Sequence, residues 1–93
     1  MEKEITEEKL KKYFNVSETA FKIIKKNIIK RKENDAKEII EMVGNYISDA
    51  HHFEKEGNFV NSFAALNYAH GWMDSGVRLG IFNVDDDKLF TIK

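Results

Sequence analysis

The chain contains neither cysteine nor proline, and each absence excludes a class of structure. Without cysteine there is no disulfide framework, no thiolate metal site and no cysteine nucleophile. Metal ligands are therefore restricted to histidine, aspartate and glutamate. Without proline, no residue interrupts a helical pattern by removing a backbone donor, so long helices are unobstructed along all 93 residues.

Long apolar runs are also missing. No run approaches the roughly 20 residues that a membrane-spanning helix needs, and the start, MEKEITEEKLKK, lacks the apolar core of a signal peptide. We therefore expect a cytoplasmic protein with no membrane partner. Apolar residues make up 42% of the chain and charged residues 33%, which is typical of a compact fold. The length predicts a single domain over residues 1–93.

The apolar residues recur at three- and four-residue spacing, which predicts an all-α fold. We expect helices over residues 7–31, 36–56 and 59–79, packed as a three-helix up-and-down antiparallel bundle, with a short C-terminal tail over residues 80–93. Local signals place the boundaries: caps at Thr6 and Asn58, a capping box from Asp35 to Glu38, and left-handed glycines at Gly57 and Gly80.

The break between the first two helices has an alternative. Ile28 and Ile39 are eleven residues apart, which keeps them nearly in phase on one continuous helix. A fused helix of about 50 residues would be roughly 75 Å long and could bury its apolar stripe only by oligomerising. The polar stretch KRKENDAKE favours a turn.

The third helix is unusual because its apolar arc covers more than half of its circumference. Its two internal glycines, Gly71 and Gly76, each cost about 1 kcal/mol relative to alanine, so we expect a packing or functional gain at these positions. The tail adds apolar residues that either dock on the bundle or reach a neighbouring chain. This excess of apolar surface on the third helix and the tail predicts a homo-oligomer or a protein partner. The interaction candidates are Tyr68, Trp72, Phe82, Leu89 and Phe90.

A polar stripe runs along the same helix and is the best site candidate. It consists of Asn67, His70, Asp74 and Arg78, spaced three and four residues apart. One interpretation is structural: Asp74 pairs with Arg78 on a solvent-facing strip while His70 makes one hydrogen bond at the edge of the core. The other is a ligand site in which Arg78 and His70 hold a small anion or polar molecule.

Two further clusters give weaker signals. His51, His52, Asp49 and Glu54 lie near the end of the second helix, but adjacent histidines point about 100° apart and no HExxH motif is present. We predict no metal and no cofactor. The first helix ends in a basic run from Lys22 to Lys32, which favours a solvated face over nucleic-acid binding because no aromatic residues are interleaved for stacking. No catalytic motif of the GxSxG type occurs.

The segment AHHFEKEGNFVNSFAALNYAHGWMDSGVRLGIF resembles the short archaeal proteins grouped as domain of unknown function 357. The most specific part is NYAHGWMDSGVRLG, and the resemblance covers nearly the whole chain. It implies a three-helix up-and-down bundle and an archaeal cytoplasmic source, and it implies no activity because the family has none assigned.

Three functional hypotheses follow. The leading one is a non-catalytic, self-associating interaction domain that uses the surplus apolar face of the third helix and the tail. The second is a ligand-binding or weakly catalytic domain that uses the polar stripe. The third, and least favoured, is nucleic-acid binding by the basic end of the first helix.

Overall fold

A computed structural model describes residues 5–90 and shows three helices: α1 (Glu7–Lys25), α2 (Glu33–Lys55) and α3 (Phe59–Arg78). No strand is formed within that range. The all-α, three-helix bundle is therefore confirmed, and the fused first helix is excluded because the chain turns between residues 25 and 33. The first four residues and the last three residues of the predicted tail lie outside the described range.

Helix α1 begins as predicted but ends six residues earlier than predicted. The Thr6 hydroxyl accepts a hydrogen bond from the backbone N–H of Lys9 at 3.1 Å, which satisfies one free donor of the first turn. Instead of continuing to residue 31, the chain becomes extended and pairs with the segment after α3. Ile29 N–H donates to the Ile81 carbonyl at 2.9 Å, and Asn83 N–H donates to the Asn27 carbonyl at 2.7 Å. These non-local bonds replace helical ones.

Helix α2 starts at Glu33, so the predicted capping box at Asp35 and Glu38 is wrong. The cap position is Lys32, which makes no side-chain capping bond. The N–H of Ala36 donates to the Lys32 carbonyl at 2.9 Å, which closes the first turn with backbone groups alone.

The ends of α2 and α3 follow the predicted local signals. Gly57 has a φ of 76°, and the Asn58 side chain accepts from Asn61 N–H at 3.2 Å to cap α3. At the end of α3, Gly80 has a φ of 77°. The N–H of Ile81 donates to the Gly76 carbonyl and that of Gly80 to the Val77 carbonyl, at 2.9 and 3.2 Å. This pair of bonds is a Schellman motif, which turns the chain sharply back.

The core lies between the three helices and is closed by the tail. Helix α3 packs closely along α2 and less extensively against α1, while α1 and α2 touch least. The hydroxyl of Ser62, which is fully buried, donates to the Ala50 carbonyl at 2.7 Å. In the tail, Phe82 and Phe90 are buried at 2% and 3% exposure. Of the two predicted fates of the tail, docking on its own bundle is therefore the one that the structure shows.

Candidate functional site

One side of α3 is left uncovered by the rest of the chain. We call it the α3 face and define it, from exposure and from steps of 100° per residue, as residues 60, 61, 64, 67, 68, 71, 72, 75, 78 and 79. Among the described residues, five large hydrophobic side chains are exposed, and four belong to this face: Val60 (62%), Tyr68 (64%), Trp72 (38%) and Leu79 (72%).

Helix α3 is therefore covered by the rest of the chain on one side only. Leu66 and Met73 are fully buried on the opposite side of the helix, whereas Tyr68 and Leu79 stay largely in water. The docked tail does not cover the α3 face, because Phe90 packs near His70, on the side of α3 away from Leu79.

The middle of the α3 face is an open depression of about 390 Å³ lined by Asn67, Tyr68, Gly71, Trp72 and Ser75. The space beside Gly71 is open, because a methyl group built there would meet no atom within 4 Å. The Ser75 hydroxyl donates to the Gly71 carbonyl at 2.8 Å, so it has a partner of its own on the helix. On one flank, the Tyr68 ring stacks on Tyr46 of α2 with centroids 5.5 Å apart.

The structure brings neighbouring members of the predicted polar stripe together. Asp74 lies beside His70, with Oδ1 and Nε2 3.6 Å apart. Arg78 is exposed at the end of α3. His70 and Asn67 line a separate cavity of about 130 Å³ shared with Tyr13 of α1. Neither this cavity nor the central depression is lined by Asp74 or Arg78.

The five interaction candidates also separate into two groups. Tyr68 and Trp72 are exposed on the α3 face. Phe82 and Phe90 are buried in the chain's own core, and Leu89 is partly buried against it. The tail thus packs against the chain's own core at these three residues, and its contribution to self-association stays a prediction. Sequence reasoning did not select Val60 or Leu79, although both lie at helical spacing from Tyr68 and Trp72.

The histidines of α2 take part in helix packing. His51 Nε2 lies 2.8 Å from Glu18 of α1, its Nδ1 lies 3.7 Å from Glu54, and its ring stacks on Phe14 with centroids 4.3 Å apart. His52 faces Glu56 at 3.4 Å. Within residues 5–90, no three His, Asp or Glu side chains are grouped so as to hold a metal ion.

The basic run is divided between a helix and a loop. Lys22 and Lys25 are in the last turn of α1, where positive charge complements the helix dipole, and the Lys25 ammonium lies 4.2 Å above the Phe21 ring. Lys30 and Lys32 are exposed in the loop that follows. The run therefore does not line one helix face. None of the helices within the described range is long and apolar enough to cross a bilayer.

Comparison with known proteins places the chain in one family. The family model described as "Protein of unknown function (DUF357)" matches residues 12–82. The match includes α1 from its second turn, all of α2 and α3, and the Ile28–Phe82 pairing. No curated protein and no solved structure matches significantly.

Proposed function

The chain belongs to this DUF357 family of proteins of unknown function, and we propose that it is a non-catalytic domain that self-associates through the α3 face. The observation that carries the proposal is the lack of charge on an exposed helix surface. Of the ten residues of the α3 face only Arg78 is fully charged, whereas 33% of the whole chain is charged. Three charges would be expected on such a surface.

The rest of the molecule shows how this sequence treats a surface that faces water. The exposed side of α1 carries Lys11, Lys12 and Lys22, and long charged side chains of this kind keep a helix soluble and discourage association. On the α3 face, by contrast, the large exposed side chains are those of Tyr68, Trp72 and Leu79. Clustered exposed apolar residues of this kind are typical of protein–protein contact sites.

The polar side chains of α3 have partners within the chain, which supports a structural role for them. His70 and Asp74 pair with each other beside the docked tail, and the Ser75 hydroxyl is bonded to the helix backbone. These contacts orient the side chains within the fold. They favour an interaction domain over an enzyme.

Sedimentation equilibrium tests the proposal directly. The wild-type chain should pass from monomer to a larger species as the concentration rises from about 10 µM to 1 mM, a range suited to weak interfaces. Leu79→Lys should shift this transition to at least tenfold higher concentration, because a lysine would be desolvated in the contact.

The matched control is Ile28→Lys, since Ile28 is the one exposed large hydrophobic residue of the described range that lies outside the α3 face. It should leave association unchanged. A wild-type chain that remains monomeric up to 1 mM, or a Leu79→Lys chain that associates as well as wild type, would contradict the proposal.

A small ligand in the central depression is the second candidate function. The aromatic rings of Tyr68 and Trp72 lie beside the amide of Asn67, an arrangement that suits a planar ring with one hydrogen-bonding group better than an anion. Trp72 is the only tryptophan, so titration with nucleosides should quench its fluorescence saturably if this function is correct. Unchanged emission would exclude nucleosides.

A cytoplasmic location and an archaeal source, which the family resemblance implies, stay predictions. Nucleic-acid binding by the basic end of α1 stays the least favoured hypothesis, because the run is split between a helix and a loop.

A further inference from the structure

The cavity between α1 and α3 is distinct from the central depression of the α3 face. It measures about 130 Å³, and we call it the α1–α3 cavity. Its lining residues are Tyr13, Val16 and Ser17 of α1 and Leu66, Asn67 and His70 of α3. We infer that this cavity binds a small, uncharged molecule with one hydroxyl group on an apolar ring, and that the Ser17 side chain is the hydrogen-bonding partner of that molecule.

Ser17 is the polar member of an otherwise apolar stripe. The other buried residues of α1 are Leu10, Phe14, Ala20 and Ile24, and Ser17 itself is only 3% exposed. Its hydroxyl makes no hydrogen bond with any residue of the described range. Every fully enclosed side-chain oxygen or nitrogen in that range has a partner. The Ser17 oxygen therefore reaches open space, and the open space that Ser17 lines is the α1–α3 cavity.

Ser62 shows how the same chain buries a hydroxyl that serves the fold. Ser17 and Ser62 are the two buried polar residues of residues 5–90. The Ser62 hydroxyl donates to the Ala50 carbonyl at 2.7 Å and so joins α3 to α2, whereas the Ser17 hydroxyl joins no two elements. A buried hydroxyl without a partner costs free energy. Alanine at position 17 would avoid this cost and favour the helix more, so a bound molecule that supplies the missing partner explains the serine.

The walls of the α1–α3 cavity indicate that the bound molecule carries no charge. No lysine, arginine, aspartate or glutamate lines it, so an ion that entered would lose its water without meeting an opposite charge. His70 is the one lining residue that can become positively charged. Asp74 lies 3.6 Å from its Nε2 atom, and this carboxylate makes the approach of an anion unfavourable.

The size of the cavity and its apolar walls favour a single ring. An apolar cavity of about 150 Å³ is large enough to bind benzene, and the α1–α3 cavity is only slightly smaller. Val16 and Leu66 supply aliphatic surface, and the Tyr13 ring packs on Phe63 with centroids 4.7 Å apart. The amide of Asn67 offers a second polar contact beside Ser17. A ligand this small binds weakly, with a dissociation constant on the order of 1 mM.

Phenol, benzene and benzoate are a matched set of probes, because they share one ring and differ in the group attached to it. Each is titrated into the isotopically labelled full-length chain while the backbone amide resonances are recorded by NMR. Phenol should shift the resonances of Ser17 and Leu66 saturably, and benzoate should leave them unchanged. The ratio of the phenol affinity to the benzene affinity measures the contribution of the hydroxyl group.

Ser17→Ala is the test variant and Ser62→Ala is its matched control, since each removes one buried hydroxyl. In Ser17→Ala the ratio of phenol affinity to benzene affinity should fall about tenfold, whereas Ser62→Ala should keep the wild-type ratio. Without a probe, urea denaturation should find Ser17→Ala at least as stable as wild type. Ser62→Ala should be less stable, because only Ser62 has a hydrogen bond to lose.

Three results would overturn the inference. Phenol-induced shifts that do not saturate would leave the α1–α3 cavity to water alone. Shifts centred on Trp72 and Ser75 would place phenol in the central depression instead. A Ser17→Ala chain destabilised as strongly as Ser62→Ala would show that the Ser17 hydroxyl serves the fold. Self-association is measured separately by sedimentation, so these results leave the proposed function unaffected.

Discussion

The ring of Phe82 packs directly against the backbone of Gly76. A methyl group built at Gly76 would come 2.5 Å from Cε2 and 2.8 Å from Cδ2 of that ring, and 3.1 Å from Cδ1 of Ile39. The Gly76 carbonyl also accepts the Schellman bond from Ile81. The chain reverses after α3 and returns its first aromatic residue to the helix it has just left, which only glycine at position 76 permits.

Gly76→Ala should therefore destabilise the fold. Overpacking of a filled core commonly costs 1–3 kcal/mol, which outweighs the gain of about 1 kcal/mol in helix propensity. We expect the free energy of unfolding to fall by roughly 1–2 kcal/mol, measured by urea denaturation at fixed protein concentration. An unchanged midpoint would mean that Phe82 moves aside without cost.

Gly71→Ala, five residues earlier on the same helix, should have the opposite effect on stability. No atom lies near the added methyl group, so the variant gains helix propensity, and the free energy of unfolding of the dilute monomer should rise by roughly 0.5–1 kcal/mol. Self-association through the α3 face should become weaker, because the added methyl group changes the shape of the central depression that Gly71 lines. Stronger association together with greater stability would contradict the proposed contact.

The predicted features that proved correct were those determined by a few neighbouring residues. Thr6, Gly57, Asn58 and Gly80 act as expected because caps and left-handed turns depend on local backbone geometry. The end of α1 was not predictable in this way. It depends on pairing between Ile28 and Phe82, which are more than fifty residues apart, and no periodicity within α1 reports that contact.

The same distinction holds for the candidate site. Tyr68 and Trp72 were identified from the apolar surplus of α3, but which part of the surplus stays exposed depends on the side where the tail docks. The pairing of His51 with Glu18 joins residues 33 positions apart and had no sequence signal. His70 and Arg78 each lie four residues from Asp74, so helical spacing alone does not determine which of them its carboxylate approaches.

Phe90→Ala should weaken the fold without changing self-association. Phe90 is 3% exposed, and the Asp86 carboxylate holds the turn before it by accepting from Lys88 and Leu89 N–H at 2.9 and 3.2 Å. Truncating a buried phenylalanine commonly costs roughly 3–5 kcal/mol, so the melting temperature should fall clearly.

Thermal unfolding of Phe90→Ala, beside the exposed-site control Lys88→Ala, checks this expectation. Lys88→Ala should melt like wild type, because only its backbone takes part in the turn. Sedimentation of Phe90→Ala should show unchanged self-association at temperatures where the variant remains folded. Loss of self-association with an unchanged melting temperature would instead place Phe90 in the interaction surface.

The loop between α1 and α2 contains one backbone position suited to glycine. Arg31 has a φ of 78°, in the left-handed region that costs a residue with a Cβ roughly 1–2 kcal/mol. Arg31→Gly removes this strain but adds freedom to the unfolded chain, worth roughly 0.4–1 kcal/mol. The net result should be a gain of about 0.5 kcal/mol in the free energy of unfolding.

The control Lys30→Gly, at a position with negative φ, removes no strain and should lower the free energy of unfolding. If both glycine variants are destabilised equally in urea denaturation, the conformation of Arg31 carries no strain and the loop owes its shape wholly to the pairing of Ile29 with Ile81.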